Sequence, residues 1–259
     1  ISKKDPGKIV VARMASPLVI SVNGTGGFVA SDPAALVSHS NKVVFLEDGE
    51  IAVITPEEFT VTDLMNNQKE KESVELEWTV EEAQKGGYPH FMLKEIMEQP
   101  ESLENSLRGR IILENGEAKL GGLNAIQEKL REIEKIHIVA CGTARYAGMV
   151  GEYMLEEYAG IPTEVDLASE FRYRKPILDK KTLVLAISQS GETADTLGAI
   201  REAKEKGVMT IGIVNVVGSS VTRETEAGIY NHAGPEIGVA STKAFTSQLS
   251  TLYLLATAV

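Results

Sequence analysis

Thr182-Leu183-Val184-Leu185-Ala186-Ile187-Ser188-Gln189-Ser190-Gly191-Glu192-Thr193 is an apolar run that gives way at once to hydroxyl residues around a glycine. The run predicts a strand over 182–187 and the residues after it a helix over 192–206, so the hydroxyls occupy a strand-to-helix turn. The same succession repeats outward in both directions. Strands are predicted over 136–140, 164–168, 209–214 and 228–231, and segments of helical length cover 144–159, 219–226 and 238–259. Strand and helix in strict alternation predict an α/β fold with a parallel sheet covered on both faces.

Before Gly121-Gly122 the texture differs. Residues 8–13 and 17–22 are β-rich runs bounded by turn residues, and Ser31-Asp32-Pro33 opens a short helix, because Ser or Asp caps free amides and Pro suits the first turn. Residues 43–46 and 51–54 flank Asp48-Gly49, a pair suited to a tight hairpin. This part is therefore expected to be antiparallel. Residues 66–86 are polar and charged, as in an exposed connection or hairpin tip. Helical spacing returns at Phe91, Met92, Glu95, Ile96, Leu103 and Leu107, with Pro100 placed to start a second helix rather than sit inside one.

Length and composition narrow the classes. At about 150 residues per domain, 259 residues make one large domain or two small ones. Hydrophobic residues at 43% and charged residues at 24% exclude a disordered, collagen-like or disulfide-scaffold chain. The net charge of -11, with acids spread along the chain, argues against a nucleic-acid partner, which would need clustered Lys and Arg. The single cysteine, Cys141, excludes an intramolecular disulfide and fits a reducing cytoplasm. No stretch reaches the roughly 18 apolar residues of a membrane span, and no signal-peptide order opens the chain. Both ends read as cut: Ile1 is not a Met, and Val259 falls inside an apolar helical pattern, so a segment of something longer is expected.

In an open α/β sheet, ligands bind where the carboxyl ends of strands meet helix N-termini. Three such junctions here are small and polar: Cys141-Gly142-Thr143-Ala144, then residues 188–193, then residues 233–243 with Glu236, Val239 and Ser241. In the middle one, Ser188, Ser190 and Thr193 offer hydroxyls, and Gly191 lets an anion approach the backbone. The result is a phosphate cradle without a lysine. Neither the nucleotide P-loop string nor the dinucleotide fingerprint occurs, which favours a monophosphate ester. The plain alternative, that Ser188 and Thr193 only cap a helix, is weakened by the polar junctions on either side.

These residues carry a resemblance. Cys141-Gly142-Thr143, residues 168–174, residues 188–196 and residues 236–246 are similar to the first sugar-isomerase (SIS) domain of the isomerising glutamine:fructose-6-phosphate aminotransferases, the glucosamine-6-phosphate synthases. Upstream, residues 16–20, Ala30-Ser31-Asp32 and Phe45-Leu46-Glu47-Asp48-Gly49 resemble the closing part of that family's glutaminase domain. The likeness runs in order over nearly the whole chain.

The resemblance implies a flavodoxin-like SIS domain with a parallel five-stranded sheet over 83–259, including linker helices and truncated at its C-terminus. Before it, 1–82 would be an antiparallel α+β segment of an Ntn-hydrolase (class II amidotransferase) glutaminase domain. It also implies glutamine hydrolysis in one domain, passage of ammonia through a channel, and amination and isomerisation of fructose 6-phosphate to glucosamine 6-phosphate, in a cytoplasmic homodimer. Ser188, Gln189, Ser190 and Thr193 would hold the sugar phosphate. Thr143 would line the sugar, with Val239 and Ser241 contacting it from the last junction. Where the family usually has Ser, this chain has Ala144, which removes one hydroxyl contact. The family's nucleophilic cysteine, Schiff-base lysine, base glutamate and ring-opening histidine match nothing here, so no catalytic residue and no cofactor are expected. A rival from another class is a non-catalytic sugar-phosphate sensor.

Single residues read as follows. Cys141 has no paired His nearby in sequence and reads as a small residue lining the pocket. His39, His90, His137 and His232 lack metal-ligand spacing. Glu236 stands equally for a sugar hydroxyl contact or a helix N-terminus, and Lys243 for an ion pair at least as much as for substrate. Glu170, Arg172 and Arg174 read as structural or subunit contacts, and Trp78 as packing. The chain incubated with glutamine is expected to release no ammonia, and a coupled ammonia assay above background would refute this.

Overall fold

The computed structural model describes residues 1–14, 16–76, 85–114 and 116–259. Trp78 lies outside them. The chain divides into two compact units, Ile1–Gly86 and Gly87–Val259.

The first unit is antiparallel. Strands β1 (Ile9–Ala12), β5 (Glu50–Ile54), β6 (Phe59–Asp63) and β7 (Gln68–Lys69) form one sheet in that order. A second sheet runs β3 (Gly27–Ala30), β2 (Val19–Val22), β4 (Lys42–Phe45) and β8 (Val74–Glu75). Ile20 and Val44 from the second sheet share a core with Ala52, Ile54 and Val61 from the first. The expected hairpin at Asp48-Gly49 is therefore corrected. Gly49 does take a positive φ of 83°, but β4 and β5 leave the turn into different sheets. The competing partner is the chain after β1: the Gly49 N–H donates to the Arg13 carbonyl at 2.9 Å and the Arg13 N–H to the Glu50 carbonyl at 3.0 Å. Ser31-Asp32-Pro33 opens a 3₁₀ turn (Pro33–Ala35), and the polar stretch after β6 is turned by Asp63, whose carboxylate accepts the amides of Met65 and Asn67.

The second unit begins with α1 (Phe91–Met97) and α2 (Gln99–Leu107), the latter opened by Pro100 as expected. A small hairpin of β9 (Ile111–Ile112) and β10 (Glu117–Ala118), a 3₁₀ turn (Gly121–Ile126) and α3 (Gln127–Leu130) lead into the sheet. Its strands are β11 (Lys135–Ala140), β12 (Thr163–Leu167), β13 (Thr182–Ser188), β14 (Met209–Val214) and β15 (Ala227–Tyr230). All pairs are parallel, in the order β12-β11-β13-β14-β15. That is the flavodoxin-like 2-1-3-4-5 order.

Every residue of β13 is buried, so successive side chains feed two cores. Leu183, Leu185 and Ile187 join Ile136 and Ile138 beneath α4 (Gly142–Met154) and α8 (Lys243–Ala258), while Val184 and Ala186 join α5 (Ala168–Tyr173) and α6 (Ala194–Glu205) through Phe171, Leu197 and Ile200. Helix α7 (Ser220–Glu224) adds Val221 to the second core. The expected helix over 144–159 is α4 closed by a π-helical turn (Leu155–Ala159), which ends at Gly160 with φ 68°. Helix α5 was not foreseen, since six residues show too little periodicity. The helix expected from 238 starts at Lys243, because Glu236 takes up the amides of Thr242 and Ala244.

Gly122 tests the packing. A Cβ built there would sit 2.0 Å from the Gly228 carbonyl oxygen on β15, whereas one at Gly121 would meet nothing within 4 Å. Gly122→Ala is expected to lose roughly 1–3 kcal/mol from overpacking. Gly121→Ala should stay within about 0.5 kcal/mol of the parent. Thermal melts of the two variants, measured side by side, check this; equal midpoints would contradict the close approach.

Candidate functional site

The order of the sheet creates the crevice. From β11 the chain crosses through α4 to β12 on one side, and from β13 through α6 to β14 on the other, so the loops after these neighbouring strands separate. A cleft of about 450 Å³ opens there, walled by Cys141, Gly142, Thr143, Ala144 and Tyr146 from the first junction. Ile187, Ser188, Gln189, Ser190 and Thr193 come from the second, and Val239, Ala240 and Ser241 from the third.

The residues named from sequence as candidates thus converge, with one exception. Glu236 does not wall the cleft. It is 5% exposed, and its Oε1 accepts the Thr242 N–H at 2.7 Å and the Ala244 N–H at 3.3 Å, which is the helix N-terminus reading. Tyr146 and Ala240 were missed. Tyr146 was legible in principle, being three residues beyond Thr143 on the same helix face.

The local geometry separates a cradle from a simple cap. Thr193 is the N-cap residue of α6, yet its side chain makes no cap hydrogen bond. Its Oγ1 lies 3.2 Å from Ser188 Oγ, which also accepts the Gly191 N–H at 3.0 Å. Ser190 Oγ accepts the Glu192 N–H at 3.2 Å. Gly191 has a φ of 67°, and a Cβ there would collide with the Ser219 side chain, so the loop admits only glycine. Helices α4 and α6 both begin at the cleft, where their N-terminal amides favour negative charge.

No charged side chain walls the cleft among the described residues. Lys243 is 3% exposed and its Nζ pairs with Glu98 at 2.7 Å. Arg172 contacts Asp195 at 3.5 Å and Arg174 pairs with Asp166, both on half-exposed side chains. His137 is buried, with Nε2 2.6 Å from Asp166, and burial lowers its pKa. No group of residues among those described has the makings of a metal site. A second cavity of about 640 Å³, walled by Leu103, Leu107, Leu249 and Tyr253 among others, is apolar and offers an anion little. No helix among the described residues is long and apolar enough to cross a membrane.

Comparison with known proteins agrees with this geometry. Residues 129–258 match the SIS domain family. Glutamine--fructose-6-phosphate aminotransferase [isomerizing] of Chlorobaculum tepidum is 54% identical over 258 residues, all of this chain and 42% of that protein. The Thermus thermophilus enzyme of the same name is 51% identical over 256 residues, 99% of this chain and again 42% of that protein. The chain thus spans about two fifths of the length of these relatives. Among solved structures, the C-terminal domain of glucosamine-fructose-6-phosphate aminotransferase from Francisella tularensis superposes with a TM-score of 0.62 at 45% identity, over 67% of this chain and 48% of that one. A glucosamine-6-phosphate deaminase from Thermotoga maritima gives 0.52 at 25% identity, over 64% of this chain and 48% of that one.

Cys141 is half-buried, and burial raises its thiol pKa despite a hydrogen bond with Thr196. A raised pKa means less thiolate at any given pH. Iodoacetamide is therefore expected to label Cys141 more slowly in the folded chain than in the chain unfolded in urea near pH 7.5, followed by mass spectrometry. Faster labelling of the folded chain would restore Cys141 as a nucleophile.

Proposed function

Since the chain belongs to the SIS domain family, we propose that its cleft binds fructose 6-phosphate or glucosamine 6-phosphate and serves the glutamine-dependent amination of fructose 6-phosphate in the whole protein. The observation that carries this is the lysine-free cluster of Ser188, Gln189, Ser190 and Thr193 between two helix N-termini. Serine and threonine hydroxyls, loop amides and helix dipoles neutralise a single phosphate ester. Triphosphates bring more charge than such neutral donors match.

In this reading Ser188, Gln189, Ser190 and Thr193 anchor the phosphate, while Thr143, Val239 and Ser241 contact the sugar. Cys141 and Gly142 shape the wall. Anchoring the remote phosphate orients the reacting end of the hexose. In this reading the chain binds and orients the ester, and proton transfer belongs to groups elsewhere in the whole protein. The antiparallel first unit would be the closing part of a glutaminase domain that handles glutamine, with 1–82 and 83–259 as the two domains, in a cytoplasmic homodimer. The identity over the full length of this chain to the named aminotransferases supports that assignment.

Ala144 bears on affinity. It is buried at 7% exposure on the first turn of α4 and also walls the cleft. Hydrogen bonds to charged groups contribute about 1.5–3 kcal/mol. Calorimetric titration with fructose 6-phosphate is expected to show binding that Ser190→Ala weakens by roughly tenfold or more. Ala144→Ser should bind as tightly or more tightly. Unchanged affinity in Ser190→Ala would remove the cradle from the reading, and weaker binding by Ala144→Ser would show that this turn is packed for alanine.

A further inference from the structure

We propose that Glu95, on helix α1 and outside the matched SIS residues 129–258, is a positioning residue that holds the sugar-contacting lip of the cleft. The lip is the loop from Glu236 to Thr242, between the end of β15 and the start of α8. It carries Val239, Ala240 and Ser241 into the cleft wall. Apolar burial does little to fix its crest, since Val239 is fully exposed.

A carboxylate fixes its base instead. Glu95 is 2% exposed, and its Oε1 accepts the Ile237 N–H at 2.6 Å and the Gly238 N–H at 3.0 Å, across more than 140 residues of sequence. Gly238 is shaped for this approach, because a Cβ there would stand 2.5 Å from Glu95 Oε2. Helix α1 is itself tied to the start of α8, as Glu98 at its end pairs with Lys243 at 2.7 Å. Glu236 closes the other end of the lip on the amides of Thr242 and Ala244. A buried carboxylate left without donors is costly, so Glu95, itself buried, holds the two lip amides against it and keeps the base of the lip in one conformation. The phosphate loop 188–193 has hydrogen bonds of its own, from the Gly191 N–H to Ser188 Oγ and from the Glu192 N–H to Ser190 Oγ.

The inference rests on the proposed sugar-phosphate reading and predicts a split that general loosening would not give. Affinities for fructose 6-phosphate and for inorganic phosphate are measured by NMR titration on the parent chain, Glu95→Ala and Glu95→Gln. Glu95→Ala is expected to bind fructose 6-phosphate roughly tenfold more weakly while its affinity for inorganic phosphate stays within about twofold. Glu95→Gln keeps one carbonyl acceptor and should lose less; it also serves if the alanine variant fails to fold. Hydrogen exchange should quicken at 237–242 and stay unchanged in β11 and β13. Equal loss for both ligands, or no loss for either, overturns the role of Glu95 alone. A parent chain that binds no fructose 6-phosphate overturns the proposed function and this inference with it.

Discussion

Two neighbouring parallel strands, β11 and β13, send their following helices to opposite sides of the sheet, and the site exists because of that divergence. The strands stay together because β13 is buried along its whole length. Its even- and odd-numbered side chains feed separate cores under α6 and under α4 with α8. The helices bring their free N-terminal amides to the same rim. The arrangement thus sets the polarity of the cleft before any particular side chain is considered.

The side chains then decide what kind of anion fits. Two charged groups at the third junction are engaged by the fold: Lys243 by Glu98, and Glu236 Oε1 by the first turn of α8. What remains is a set of short, neutral donors. Such donors act only at contact distance and in fixed directions, which suits shape-dependent recognition of a small ester.

Much of the second unit was legible because its physics is local. Strand β13 announces itself by its apolar run at 183–187, and the turn after it by hydroxyls around a glycine. Pro100 at the opening of α2 was readable for the same reason. Readings failed where a distant partner decided the outcome. Asp48-Gly49 makes its turn, but Arg13 captures both sides of it and sends β5 to another sheet. Helix α5 is too short to show a period and exists because Phe171 is wholly buried. The sequence offered two roles for Glu236, and only the fold could choose, since the choice depends on where α8 begins.

The absence of cationic side chains among the described cleft residues has a kinetic side as well. The chain carries a net charge of -11, so in the proposed reading a phosphate ester approaching from bulk solvent meets net repulsion, which the helix N-termini at the rim offset only at short range. Added salt shortens the reach of that repulsion. Capture of the ester should therefore quicken as ionic strength rises, opposite to a lysine-lined anion site, while escape, governed by short contacts, stays nearly constant.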